Sequence, residues 1–401
     1  MRAYERLLKY VTVKTPSDEF SQTVPSTDCQ LVLANMLADE LKELRVANAH
    51  VDEFGIVYGI IPATQGHEND IKLGFIAHMD TVKDYTEAPI QPVITPNYDG
   101  CDFPLGDSGR ILSVKDFPHL PLLKGHTLIT SDGNTILGVD DKAGVATIMT
   151  MAERLINENI PHGQISIAFT PDEEIGAGAD HFDIPKFGAE FAYTVDGGKE
   201  GDIQYETFNA CRADFKINGF AVHPGDSKDT MINASLVAME INSLLPGCET
   251  PRGTEGYEGF YHLNSMKGDA CSAELHYIVR DHDAASFDAK QKTLRLIAKT
   301  MNEKWGEGTV ELSIEEQYRN MAEIIQHHMH LIENAKKACE NAGVNWDILP
   351  VRGGTDGCRL SYDGLPCPNL GTGGYAFHGP YEHTTVEALD ITTDILVELA
   401  R

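Results

Sequence analysis

The sequence predicts an α/β domain with a mixed central sheet flanked by helices, interrupted by a smaller α+β domain. Three observations predict it. Short, almost wholly apolar runs alternate with stretches of helical period in the first and last parts of the chain, the pattern of strands buried on both faces and joined through helices. Between residues 209 and 318 the texture changes to runs of alternating polarity around two amphipathic stretches. A chain of 401 residues also exceeds what one hydrophobic core usually supports. The larger domain is therefore assigned residues 1–208 and 319–401, and the inserted domain residues 209–318.

Taken in order, residues 4–11 and 31–44 carry a helical apolar period, with Thr27 or Asp28 as the cap of the second helix. Residues 56–61 and 71–77 read as strands, the second nearly all apolar. From Asp140 the period becomes helical, with Ala143, Ala146, Met149 and Ile156 on one face and Asp140 or Asp141 able to cap the start. Residues 164–170 and 191–195 read as buried strands. In the insertion, 212–217 and 273–280 read as strands, and 231–245 and 287–305 as helices. Helices over 330–342 and 386–399 close the chain.

Composition narrows the function. With 61 acidic against 32 basic residues the net charge is −29. Such a chain repels phosphate backbones and anionic lipid, so nucleic-acid and membrane-surface partners are disfavoured. The hydrophobic fraction of 42% is that of a globular protein. The eight cysteines include no C-x-x-C pair and read as reduced thiols. No apolar run approaches transmembrane length and residues 1–15 hold no signal-peptide core, so the expected compartment is the cytoplasm.

The chemistry lies in where carboxylates and histidines fall. His78 and Asp80 follow a predicted strand. Asp140 and Asp141 stand at a loop-to-helix junction. Asp172, Glu173 and Glu174 follow the strand ending at Thr170, and Asp196 the one ending at Val195. His378 lies in a glycine-rich loop before the last helix. Open α/β sheets bind ligands beyond the carboxyl ends of their strands. Two imidazoles with several carboxylates suit zinc, cobalt or manganese, and a carboxylate two residues past a histidine, as Asp80 is, can hold the far ring nitrogen. Each piece alone has a plain reading: His-x-Asp as a loop, the acidic triplet as a solvated turn, the acidic pair as a helix cap. Their shared position at element ends is what makes them a candidate site.

The stretches Gly74-Phe-Ile-Ala-His-Met-Asp-Thr81, Gly138-Val-Asp-Asp-Lys-Ala-Gly144, Phe169-Thr-Pro-Asp-Glu-Glu-Ile-Gly176, Tyr193-Thr-Val-Asp-Gly-Gly198, Thr254-Glu-Gly-Tyr-Glu-Gly-Phe-Tyr-His262 and Arg352-Gly-Gly-Thr-Asp-Gly357 occur in one order along the whole chain. In these the sequence resembles the M20 metallopeptidases. The resemblance implies a di-zinc exopeptidase-like catalytic domain and a ferredoxin-like inserted lid, which in this family also serves dimerisation. It implies two Zn2+ per subunit, with Co2+ or Mn2+ as alternatives. Asp140 would bridge them, His78 and Asp196 would complete one site, and Glu174 and His378 the other. Glu173 would be the general base and Asp80 the partner of His78. A cis peptide after the bridging aspartate, Asp140-Asp141, is implied too.

The implied activity is release of the N-terminal residue from short peptides, preferentially tripeptides. A water shared by two metals is acidified to hydroxide near neutral pH. Glu173 would take its proton and pass it to the leaving amine. His223, with Asn233 in the next helix, is the candidate donor to the oxyanion, and Arg280 and Arg352 the candidates to grip the peptide's carboxylate. The alternative is another hydrolase of the same family: a dipeptidase, a carboxypeptidase or an N-acyl amino acid deacylase. His383 is a rival to His378 as ligand. His327, His328 and His330 begin a helix far from the acidic motifs and read as surface. No G-x-G-x-x-G follows a strand and no G-x-S-x-G is present, which argues against a nucleotide site and a serine hydrolase.

Overall fold

The computed structural model describes residues 1–401. It resolves into two compact units: Met1–Tyr205 with Glu323–Leu349 and Thr355–Arg401, and Glu206–Ala322 with Pro350–Gly354. No helix is long and apolar enough to cross a membrane.

The larger unit is built on an eight-stranded mixed sheet, in the order Ala47–Val51, Val57–Ile61, Ile165–Thr170, Leu73–His78, Phe191–Val195, Asn369–Leu370, Asp202–Gln204, Asp347–Ile348. Its centre is parallel: Leu73–His78 runs between Ile165–Thr170 and Phe191–Val195 in the same direction as both. These strands are buried almost throughout, which is why they read as apolar runs and not as alternating ones. Gly74 shows how tightly the sheet is covered. A Cβ there would lie 2.4 Å from the Phe187 ring. The helix Val139–Asn157 packs on the Leu73–His78 strand and against the helices Ala3–Tyr10 and Val386–Ala400, while Gln30–Glu43 covers the Ala47–Val51 and Val57–Ile61 strands. A second sheet of four short strands is ordered Gly374–Tyr375, His383–Thr385, Leu128–Thr130, Val93–Thr95.

Of two capping expectations, the first needs correction and the second resolves to Asp141. The helix Gln30–Glu43 starts from Cys29 with no side-chain cap. Thr27 instead donates its hydroxyl to the Pro16 carbonyl at 2.7 Å, and its oxygen accepts the side chains of Gln30 and Cys29, each at 3.2 Å, and no helix N–H. At Val139–Asn157, Asp140 and Asp141 have non-helical dihedrals. Asp141 Oδ1 then accepts the Gly144 N–H at 3.2 Å, so Asp141 caps the regular part of the helix and Asp140 is left outside it.

The smaller unit has the chain order strand Asn209–Asn218, helix Ala234–Ser243, strands Phe260–Gly268 and Ser272–Asp281, helix Ala284–Trp305, strand Val310–Tyr318. This βαββαβ arrangement is ferredoxin-like, with both strands that follow a helix at the sheet's edges. Every second residue of Asn209–Asn218 and Ser272–Asp281 is buried, and Phe215, Leu275 and Tyr277 meet Val237, Ile241, Phe287 and Leu294 from the helices. The strip Pro350–Gly354, assigned from sequence to the larger domain, packs in this unit. Val351 donates to the Glu206 carbonyl at 2.8 Å and Phe208 to that of Gly353 at 3.2 Å.

Candidate active site

Three neighbouring parallel strands end together, and each ends in a candidate residue. Leu73–His78 delivers His78, Ile165–Thr170 leads into Glu173 and Glu174, and Phe191–Val195 leads into Asp196. The helix Val139–Asn157 brings Asp140 over these strand ends. A Cβ on Gly144 would lie 2.0 Å from the Val195 carbonyl, so only glycine lets the helix approach this closely. The Asp140-Asp141 peptide is cis.

Asp140 sits between the two histidines. Its Oδ1 is 3.1 Å from His78 Nε2 and its Oδ2 3.1 Å from His378 Nε2. Asp196 Oδ1 approaches His78 Nε2 at 3.6 Å, and Glu174 Oε2 approaches His378 Nε2 at 3.2 Å. The five residues expected as ligands thus converge, with His78 and Asp196 on one side of Asp140 and Glu174 and His378 on the other. His383 does not join them. Its Nδ1 donates to the Tyr381 carbonyl and its Nε2 faces His119.

Asp80 does more than the expected orientation of His78. The His78 Nδ1 lies 3.1 Å from the Asp80 carbonyl and 3.4 Å from its Oδ1. The carboxylate also accepts the backbone N–H groups of Glu173 and Glu174, at 3.0 and 3.2 Å. It therefore ties the turn bearing Glu173 and Glu174 to the strand bearing His78. Asp172 faces away, with its carboxylate holding the Ser26 N–H at 2.7 Å and Gln30 Nε2 at 2.6 Å.

Three further carboxyls, whose roles the sequence does not disclose, surround this group. Asp141 Oδ2 accepts the His78 N–H at 3.2 Å. Glu382 accepts three backbone N–H groups, from Leu137, Gly138 and Asp140, at 2.6–2.9 Å. Asp356 accepts the Thr170 hydroxyl at 2.8 Å. The four-residue spacing from His378 is the signal that marks Glu382, and the Gly-Gly-Thr-Asp-Gly run the one that marks Asp356. Neither says what the residue holds.

Burial on this scale shifts charge. Desolvation pushes the Glu173 and Asp141 carboxyls well above the ordinary range and those of Glu382 and Asp356 up to about 7. Burial also works against an ionised Asp140, yet His378 and His78 hold it below the usual range. Bonds to Asp140 and Glu174 push His378 up to about 11. Carboxyls crowd a site whose cationic groups are His78, His378 and the buried Lys142, and Glu174 Oε1 is buried with no hydrogen-bond partner. Such a donor set, rich in oxygen with two imidazole nitrogens, fits divalent cations.

The four candidates for substrate contact all lie in the smaller unit. Asn233 caps Ala234–Ser243 by accepting the Leu236 N–H at 3.2 Å. His223 is exposed, and its Nδ1 accepts the Gly225 N–H. Arg280 donates to the Cys211 and Val279 carbonyls and to Gln317 Oε1. Arg352 donates to the Gly256 and Glu258 carbonyls and to Thr254, between the rings of Phe208 and Phe260. His328 and His330 pack around Phe191, and His330 opens the helix His330–Asn341.

Residues 127–401 match the model of peptidase family M20/M25/M40, and the chain belongs to this family. It is by class a peptidase. Within the family it is similar to peptidases T. Peptidase T of Caldanaerobacter subterraneus subsp. tengcongensis is 48% identical over 99% of this chain and 98% of its own, and peptidase T of Bacillus subtilis 47% identical over 99% and 97%. The fold is shared with aminopeptidase PepT from Bacillus cereus (TM-score 0.76, 22% identity, 100% of this chain and 97% of that one). It is shared also with a Bacillus subtilis protein described as a dinuclear metal-binding peptidase (TM-score 0.63, 16% identity, 99% and 97%).

Proposed function

We propose that this chain is a metal-dependent aminopeptidase that releases the N-terminal residue from short peptides, preferentially tripeptides. The observation that carries the reading is the position of Asp140, one carboxylate oxygen toward His78 and the other toward His378. A bridging carboxylate between two half-sites is what a pair of cations needs. Relatives at 48% identity over nearly the whole chain that carry the name peptidase T support the peptide as substrate.

In this reading Asp140 is shared, His78 and Asp196 complete one metal site, and Glu174 and His378 the other. The metals are two Zn2+ per subunit, with Co2+ or Mn2+ as substitutes. Bound there, they would acidify a water at neutral pH and offset the charge that develops on the scissile carbonyl oxygen. Glu173 is the general base. Its burial raises its proton affinity, the direction that helps a carboxylate take a proton. Asp80 orients His78 and the Glu173 turn.

His223 is the proposed donor to the carbonyl oxygen. Because its Nδ1 accepts the Gly225 N–H, the ring proton sits on Nε2. Asn233 supports the same region as a helix cap. Arg280 and Arg352 are the proposed grip on the peptide's carboxylate. Their bonds to backbone carbonyls hold each guanidinium in place and leave part of its donor fork unspent. A cytoplasmic homodimer is the proposed physiological form.

Hydrolysis of di-, tri- and tetra-alanine and of N-acetylated tri-alanine, with zinc and then with chelator, tests the function. Release of alanine from free tri-alanine, abolished by chelator, is expected. Cleavage of the blocked peptide, or turnover indifferent to chelator, would overturn it.

A further inference from the structure

His378 sits at the tip of a hairpin. The strands Gly374–Tyr375 and His383–Thr385 pair antiparallel with Tyr375 opposite His383. The loop between them holds His378 with a φ of +63°, a conformation a histidine keeps only where its surroundings enforce it.

A residue far away in sequence contacts both arms of this hairpin. His119 meets both arms of the hairpin. Its ring stacks on Tyr375 at 4.2 Å and 12°, and lies edge to edge with His383, nearly coplanar with it at 5.1 Å and 8°. It also makes a hydrogen bond to His383, Nε2 to Nε2 at 2.8 Å. The direction of that bond is decided by His383. Its Nδ1 faces the Tyr381 carbonyl at 2.7 Å, a group that can only accept, so Nδ1 carries the proton and Nε2 is the acceptor. His119 therefore donates from Nε2. It stands just before the turn Leu120–Leu123, whose Leu120 and Leu123 are buried with Tyr98, Leu105, Leu112 and Leu128 in a core of their own. His119 thus adds a side-chain link between the hairpin and this core, beside the packing of Tyr375 and Tyr381 on it and the pairing of His383–Thr385 with Leu128–Thr130.

We propose that His119 is a positioning residue for His378: by stacking on Tyr375 and donating to His383 it fixes the hairpin so that His378 Nε2 meets Asp140 and Glu174. The proposal rests on the reading of His378 as a metal ligand. It predicts that His119, which has no bond to any of the five residues that converge as ligands, controls occupancy of the half-site made by Glu174 and His378 and leaves that of His78 and Asp196 alone.

The test uses the full-length chain with His119→Phe, which keeps a ring and loses the donor, His119→Gln, which keeps a donor, and His378→Ala. Zinc per chain is counted during titration in a competing chelator, beside kcat, KM and the apparent Tm. His119→Phe should weaken the second zinc equivalent roughly 10- to 100-fold, the range for residues that orient metal ligands. It should lower kcat while KM stays near its original value, and His119→Gln should recover most of both. A His119→Phe protein that binds both equivalents with unchanged affinity overturns the proposal, whatever its Tm, since His119 would then serve packing alone. If His378→Ala itself keeps both equivalents, the ligand reading falls, and the proposal with it. Loss of one equivalent in His378→Ala but not in His119→Phe refutes the positioning role alone.

Discussion

Glu382 holds Asp140 by its backbone and not by its side chain. Its Oε1 accepts the Asp140 N–H at 2.9 Å, while Oε2 takes those of Leu137 and Gly138 at 2.8 and 2.6 Å. The loop that carries Asp140 is thus wrapped around one buried side chain. Replacing Glu382 with Ala leaves three buried donors without a partner, each costing about 1–3 kcal/mol. The expected outcome is a lower apparent Tm and a fall in zinc content, seen by calorimetry and metal analysis on the same sample. An alanine variant of unchanged Tm would show that water replaces the carboxylate without loss.

Glu173 is the one acidic residue of the site given a proton-transfer role and no metal. Glu173→Gln keeps the side chain's size and its place on the turn held by Asp80. Turnover of tri-alanine should fall by about 10²- to 10⁴-fold, with zinc content unchanged. Undiminished turnover would mean that another group takes the proton.

Metal removal should act on stability as well as activity. The carboxyls of Asp140, Glu174 and Asp196 are packed against each other with two imidazoles between them. Dialysis against chelator should abolish turnover and lower the apparent Tm, and added zinc should restore both. Binding to the folded state stabilises by RT ln(1 + [L]/Kd), about 4 kcal/mol at a thousandfold excess over Kd. An apparent Tm indifferent to zinc across such a range would count against the site.

The turn bearing Glu173 and Glu174 rests on Asp356. That carboxylate accepts the Thr170 hydroxyl where the turn begins, and a Cβ on Gly178, where it ends, would lie 2.4 Å from both of its oxygens. Gly178→Ala should therefore push the turn off its seat, a strain of about 1–3 kcal/mol, and reduce kcat more than Thr170→Val, which removes one bond and adds no volume. Equal kcat in Gly178→Ala and the parent chain would place the strain elsewhere.

Much of this was legible in the sequence, for local reasons. The buried strands announced themselves as apolar runs, and His78, Glu173, Glu174, Asp196 and His378 stand at element ends, the last two beside glycines. The helix-cap reading of the acidic pair applied to Asp141 and hid what Asp140 does once it lies outside the helix. Glu382, Asp356 and His119 could not be given roles from sequence, because their partners Asp140, Thr170 and His383 are 242, 186 and 264 residues away. Arg352 went to the wrong unit for the same reason. Its strip is held by Glu206 and Phe208 from the far side of the insertion, a pairing that no local pattern records.

His383 carries the last prediction, on pH. It is fully buried, and desolvation, with His119 beside it, pushes its ring down to about 4 from about 6.5 in an unfolded chain. Between these values the unfolded chain binds a proton that the folded chain refuses. Stability must therefore rise with pH across the window and be lost as pH falls from 6.5 toward 4. The full effect is about 3 kcal/mol, at roughly 1.4 kcal/mol per pKa unit. Carboxyls titrate over the same range, so the comparison is with His383→Phe, which fills the space with a ring that takes no proton. The apparent Tm of the variant should fall less steeply between pH 6.5 and 4.5 than that of the parent. Parallel curves would mean that His383 accepts its proton in the folded chain as readily as in the unfolded one, and that burial against His119 does not govern its charge.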